Sequence, residues 1–268
     1  MSEAQVILLG VRGSLPTGSP ETLRYGGDTL CVLVRLGGQT VLLDAGTGLL
    51  SLSRFLRPEE TALTLLLTHP HLDHLLGLPL NAFLMNPAHR LDIRAASRGG
   101  LGTEEQLNLV FSPPLWPVRV GALPASVRFL DLPEELPLGG LRIRALEGNH
   151  PGGVSLLRLE AEGKSVVLMT DCTISEDRLP ALLDFAADCS LLLIDGQYSE
   201  AEWKTRAGFG HNTWSAAAAF GQACGARQVR IIHHDLFRTD AELDAAAPSL
   251  LNLHPGCRFG RSGEEMNL

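Results

Sequence analysis

The residues that could do chemistry are concentrated in one run, T-H-P-H-L-D-H, spanning 68–74, which holds His69, His71, Asp73 and His74 within six positions. His69 and His71 lie two apart, and in an extended segment residues i and i+2 point the same way, so both imidazoles can reach one cation. Pro70 favours that conformation because it pushes the residue before it out of the helical region. Asp73 and His74 come where the chain turns toward a helix, so they can face a second cation beside the first. One imidazole-rich site next to one containing a carboxylate suits zinc, with manganese or iron as alternatives. A paired site of this kind makes a hydrolytic nucleophile without a serine or cysteine. Two cations about 3.5–4 Å apart can bridge a water and lower its pKa toward about 7, giving a metal-bridging hydroxide.

One run cannot complete two sites, and with nine histidines in the chain the search for the rest is short. His150, in G-N-H-P-G-G, follows a strand-like run and is held in a tight turn. Asp171 ends the apolar run Val166–Thr170, where a carboxylate has little structural purpose but could bridge two cations. His233 and His234 end the run Val229–Ile232. Adjacent side chains on a strand point to opposite faces, so one of the two is expected to be a ligand. His89 and His254 sit beside a proline or in a polar turn and are read as surface residues. Cys172, next to Asp171, is read as a small buried filler.

The elements that must position these groups can be read from periodicity. Residues 5–10, 29–36 and 39–44 read as strands, with Gly37-Gly38 turning between the last two. A helix is expected after Asp44-Ala45-Gly46 through Leu49, Leu52 and Phe55. The apolar run 63–67 reads as a buried strand leading into the histidine run, and Leu75 to Met85 as a helix. A proline-rich middle follows, in which 112–117 offers either a lid or an unpatterned loop. Strands are then expected near 126–130, 138–146, 153–160 and 164–169. The last third alternates: helix 176–187, strand 190–195, helix 213–224, strand 227–232, helix 240–251.

With no repeat, linker or low-complexity tract, residues 1–268 are expected to form one domain, with two sheets covered by helices. The five cysteines are an odd number, widely spaced and without a C-x-x-C pair, which argues against a disulfide framework or a cysteine zinc site. No run reaches the roughly 18–20 apolar residues of a membrane span, and the first residues carry no secretory pattern. A cytoplasmic location is therefore expected. The net charge of −8 disfavours nonspecific attraction to DNA or RNA but not a small phosphorylated substrate in a cationic pocket.

Taken in order, Asp44 in L-L-D-A-G-T-G, the 68–74 run, His150, Asp171 in M-T-D-C and a strand-end histidine resemble the five signatures of the metallo-β-lactamase superfamily, over essentially the whole chain. Three further segments are similar to its ribonuclease Z-like and phosphodiesterase-like branch: L-G-V-R-G-S-L-P-T with Y-G-G-D-T, D-H-L-L-G-L-P, and G-H-N-T-W at 210–214. The resemblance implies an α/β four-layer αββα sandwich of two mixed sheets flanked by helices. It implies one metal on His69, His71 and His150 and another on Asp73, His74 and His233, with Asp171 bridging and Asp44 orienting ligands from behind. His211 and Asp73 are the residues it assigns to the chemistry, His211 as proton donor to the leaving group.

The chain departs from the branch in having no segment like the long tRNA-clamping arm and in carrying Asn212 where a small hydroxyl residue is usual. The expected function is a binuclear metal-dependent phosphodiesterase acting on a small, cyclic or nucleotide-derived ester. The rivals are a lactone or thioester hydrolase of the same fold and a metal-binding module without turnover. The expected partners are a small-molecule or short nucleotide ester and two divalent ions, with no stable DNA complex and no membrane. A second copy of the chain is left open.

Overall fold

A computed structural model describes residues 4–268. Fourteen strands among these residues form two seven-stranded sheets. In chain order they are β1 (Gln5–Gly10), β2 (Cys31–Leu36), β3 (Gln39–Leu43), β4 (Ala62–Leu67), β5 (Arg90–Ala95), β6 (Ser126–Asp131), β7 (Glu135–Leu138), β8 (Leu141–Gly148), β9 (Val154–Ala161), β10 (Lys164–Met169), β11 (Leu191–Asp195), β12 (Gln228–Ile232), β13 (Cys257–Phe259) and β14 (Glu264–Asn267). The first sheet has the order β14-β1-β2-β3-β4-β5-β6, and the second β13-β12-β11-β10-β9-β8-β7. Five α-helices lie among them: α1 (Thr103–Asn108), α2 (Leu179–Ala186), α3 (Glu200–Arg206), α4 (Trp214–Ala223) and α5 (Asp240–Leu253). None is long and apolar enough to cross a membrane.

Strand alternation explains the layers. On β1 and β2, Val6, Leu8, Val32 and Val34 enter a core shared with Leu157, Leu159, Val166, Leu168, Leu191 and Leu193 of the second sheet. The intervening Ile7, Leu9 and Leu33 point the other way, to Leu49, Leu52, Phe83 and Phe111. On the second sheet, Val167, Leu192 and Val229 face outward to Leu182, Phe185, Phe220, Leu243 and Leu250 of the helical layer. Strands buried on both faces read as unbroken apolar runs, which is why most were recognisable in the sequence. The result is the expected αββα sandwich of two mixed sheets.

Three regions differ from expectation. Leu75–Met85 is not an α-helix; the path holds only 3-10 turns at Leu72–His74 and Ala82–Met85. Gly77 gives its N–H to Ala45 O at 2.8 Å instead of to its own turn, and Pro79 has none to give. The segment after the 44–46 turn is likewise a 3-10 helix, Thr47–Arg54. In the proline-rich middle, Arg90–Ala95 forms β5, parallel to both β4 and β6, with charged residues at alternate positions masking its buried Leu91 and Ile93.

Candidate functional site

Parallel pairing places several strand carboxyl ends at one edge of the sandwich, where open α/β sheets bind ligands. β3 and β4 are parallel in the first sheet, and β10, β11 and β12 in the second. The chain leaving β3 brings Asp44, β4 the histidine run, β10 Asp171, β11 ends on Asp195, and β12 brings His233. Asp44, Asp171 and His233 all have positive φ, at 56°, 52° and 61°. Non-glycine residues held there are strained, and such strain concentrates at functional sites. Three times, a residue one or two positions past a strand takes this conformation at the same edge.

The groups meet as two sets. His69, His71 and His150 form one and Asp73, His74 and His233 the other, the ligand atoms of each set lying within 4.8 Å of one another. In the first, His69 Nε2 is 2.9 Å from His71 Nδ1, which is 3.2 Å from His150 Nε2. In the second, His233 Nε2 and His74 Nε2 lie 3.1 and 3.5 Å from Asp73 Oδ2. Asp171 stands between them: Oδ2 is 3.2 Å from His74 Nε2, while Oδ1 is 3.2 Å from His233 Nε2 and 3.7 Å from His150 Nε2.

Hydrogen bonds behind the rings set which nitrogen faces inward. His74 Nδ1 donates to Asp44 Oδ2 at 2.8 Å. Asp44 also accepts from the Thr68 N–H at 2.8 Å and the Thr68 hydroxyl, whose oxygen accepts from His69 Nδ1 at 3.0 Å. His150 Nδ1 donates to Gly210 O at 3.3 Å. In each of these rings Nε2 is the nitrogen turned toward the cluster. Asp73 is steadied by the Ser14 N–H, 2.7 Å from Oδ2.

The donor set fits divalent cations on an independent observation: His74 Nε2, which faces Asp73 and Asp171, is buried without a hydrogen-bond partner. Imidazole nitrogens and carboxylate oxygens converging on one point are the donors that divalent cations take up. Electrostatics divide the sets. Burial, with the adjacent imidazoles, pushes His69 and His71 down and holds His150 at about 4, so these rings are neutral. Burial acts against charge in the second set too, but His74, through Asp73, Asp44 and Asp171, and His233, through Asp171, Asp73 and Asp195, are raised, His233 to about 9. Asp73 and Asp171 are held far below the usual carboxylate range by those same histidines, against the pull of burial.

His211 sits beside the two sets, its ring stacked on His233 with centroids 4.9 Å apart. Nδ1 donates to Asp195 Oδ2 at 2.6 Å, and the other Asp195 oxygen accepts from Gln197 N at 3.1 Å. Sequence reasoning passed over Asp195. It is the last residue of an apolar strand, as Asp171 follows one, and that shared signal could have found it. Two glycines permit this crowding. A Cβ on Gly13 would lie 2.2 Å from the His233 ring, and one on Gly210, at φ 93°, 2.2 Å from His150 Nδ1.

A cleft of about 500 Å³ opens over the cluster, lined by Ser14, His71, Leu72, Asp73, His150, Pro151, Asp171, Tyr198, Gly208, Phe209, His211 and His233. The 112–117 segment is not part of it. Trp116 packs edge-on to buried Phe111 against the outer core of the first sheet, so the wall comes from 208–209 instead. Of the histidine pair, His233 turns into the cluster, whereas His234 Nε2 bonds Gly260 O at 3.0 Å, among Tyr25 and Phe259. His254 is buried, contrary to expectation: Nδ1 accepts from Gly256 N and Nε2 donates to Ala226 O, closing the turn from α5 to β13. His89 is half-buried, stacked on Phe83. Cys172 is buried, which pushes its thiol up to about 11.

Known proteins share both the sequence pattern and the architecture. Ribonuclease Z of Bradyrhizobium diazoefficiens is 26% identical over 267 residues, covering 81% of this chain and 87% of that protein. The metallo-beta-lactamase fold protein YhfI from Bacillus subtilis superposes over 100% of both chains with a TM-score of 0.76 at 18% identity. A diphosphatase from the PhnP family does so over 99% of this chain and 98% of its own, with a TM-score of 0.70 at 16% identity. The family model described as the beta-lactamase superfamily domain matches residues 39–234, from β3 to the histidine pair after β12, which takes in every strand end that feeds the cluster. By that match and by its metallo-β-lactamase fold, the chain belongs to the beta-lactamase superfamily.

Proposed function

We propose that the chain is a binuclear metal-dependent hydrolase of phosphodiesters, acting on a small, cyclic or nucleotide-derived ester. The observation that carries this reading is the pair of ligand sets on either side of Asp171, with the His211–Asp195 pair at their edge. His69, His71 and His150 would hold one ion, Asp73, His74 and His233 the other, and Asp171 both; zinc suits this mixture of imidazole and carboxylate. Ions held there supply an acidified water and polarise the phosphoryl oxygens.

The remaining work falls to the chain. Asp44 and Thr68 keep the inner imidazoles in the liganding tautomer. Asp73, anchored by the Ser14 N–H, keeps its carboxylate at the cleft floor. Asp195 fixes the His211 tautomer with the proton on Nδ1, so that Nε2 faces the cleft and, once protonated, can pass its proton to the departing oxygen. An alkoxide needs that proton, whereas a thiolate does not. This favours an oxygen ester, in keeping with the names ribonuclease Z and diphosphatase borne by two of the similar proteins.

The decisive test is His211→Ala on zinc-loaded protein with two substrates. On a 2′,3′-cyclic nucleotide, whose ribose oxygen leaves poorly, turnover should fall about 10²–10³-fold while metal content stays near about two per chain. On bis-p-nitrophenyl phosphate, whose leaving group needs little help, the loss should be at least about tenfold smaller. Equal losses would remove the proton-donor role, and hydrolysis of lactones or thioesters in place of both phosphodiesters would replace the assigned reaction.

A further inference from the structure

The walls of the cleft say what kind of ester it takes. Of its twelve lining residues none is lysine or arginine. The nearby guanidinium of Arg206 lies 5.2 Å over the Tyr198 ring and is engaged by Asp235 at 3.2 Å. With a chain charge of −8, nothing here tracks a phosphate backbone, which polynucleotide grooves do with rows of cations. The walls instead carry apolar groups facing water: Leu72 is 47% exposed and Phe209 58%.

Single exposed apolar residues are ordinary. These two are different in placement, because both are tied to the cluster. Leu72 lies between His71 and Asp73 in the histidine run. Phe209 ends a short 3-10 turn and precedes Gly210, whose carbonyl accepts from His150 Nδ1. Leu72 follows a strand of the first sheet and Phe209 lies in the connection between two strands of the second, so each half of the sandwich brings one apolar group to the cleft.

We propose that Phe209, with Leu72, is the specificity-determining wall of the cleft. It takes an aromatic or comparably apolar side group of a small ester whose only anionic centre is the one the metal ions meet. The proposal rests on the reading of this cleft as a metal-hydrolase site, and it excludes a long nucleic acid strand as substrate.

The test measures binding of phenylphosphonate and methylphosphonate to the zinc-loaded protein, two probes alike at the metal end and different at the wall. Wild-type protein should bind the phenyl compound about tenfold more tightly. Phe209→Ala should shrink the preference to within about twofold without changing methylphosphonate affinity, and Phe209→Leu should restore part of it. Leu115→Ala, which removes an exposed leucine outside the cleft, should leave the preference intact. An RNA oligonucleotide should not displace the phenyl probe. Equal binding of the two probes, an unchanged preference in Phe209→Ala, or displacement by RNA would overturn the proposal. A protein that shows the preference yet cleaves no phosphodiester would retain the wall and lose the reaction assigned above. Phosphodiester cleavage without the preference would do the reverse.

Discussion

The first sheet carries a buried polar cluster at each end, and the two are built on opposite principles. At the end away from the strand-end histidines, Arg35 donates to both Glu60 oxygens at 2.6 and 2.7 Å, to Gln5 Oε1 and to Phe55 O. Glu60 also accepts from Thr40 Oγ1 and Arg57 N. Each of these charges is answered by the protein itself. At the other end, imidazoles converge on one another and on carboxylates, and the buried His74 Nε2 among them has no hydrogen-bond partner. Cavity size does not separate them, since the hollow beside Arg35 and Glu60 measures about 460 Å³ and the cleft over the histidines about 500 Å³. Satisfaction does. A buried polar cluster that closes on itself stabilises the fold, and one that stays open is arranged for something that must be added.

The sharpest way to break this contrast is Asp171→Asn. Asparagine tolerates the positive φ, so the backbone is preserved while the shared carboxylate is lost. Turnover should drop by about 10³-fold or more and metal content should fall. A variant that keeps both its metal and its turnover would show that the open cluster does not work through Asp171.

Glu60→Gln probes the closed cluster and should do the converse, costing about 3 kcal/mol in denaturant unfolding because Arg35 is left buried without its charge partner. The zinc-loaded variant should keep its kcat. The same pair sets a pH dependence. Burial alone would raise Glu60, but Arg35, Thr40 and the Arg57 N–H outweigh it and hold the carboxyl at about 2, below its ordinary 4.5. A carboxyl lowered by folding contributes fully above its unfolded pKa, and the contribution is lost as pH falls through the folded one. Metal-free wild-type protein should therefore lose stability between about pH 4.5 and 2 more steeply than Glu60→Gln. Parallel slopes would deny the pair its part in acid unfolding.

The smallest of these effects tests whether the open cluster extends to its edge. Asp195→Asn should lower kcat about 10²-fold on a poor leaving group by letting the His211 ring change tautomer, with metal content and KM little altered. Loss of metal in this variant would place Asp195 among the ligands instead of behind His211.

How much of this could be read without coordinates varied with distance along the chain. The histidine run was legible because its candidate ligands are neighbours and a buried strand delivers them. His150 and Asp171 were legible because apolar runs ended on residues that apolar runs do not need. Asp195 met that same description and was passed over, since a single aspartate after a strand is common and its partner His211 lies sixteen positions away. The 75–85 segment misled because its apolar residues suggest a helix, while Gly77 and Pro79 send its backbone elsewhere. β5 was hidden because alternating charges kept it from reading as a buried run.

Sequence alone determined the chemistry available here: which strands are buried on both faces, which residue types end them, and that imidazoles and carboxylates outnumber any structural need. It left open which of two adjacent histidines would serve, what stands behind each ring, and which segment walls the cleft. Those were decided by the tertiary structure, because they depend on which strand ends lie side by side at one edge of two sheets. A left-handed turn after β12 sends His233 inward and leaves His234 to Gly260. Parallel pairing sets β11 between β10 and β12, which brings Asp195 behind His211. Such proximity arises from register and crossover between segments far apart in the chain, and no local pattern of residues encodes it.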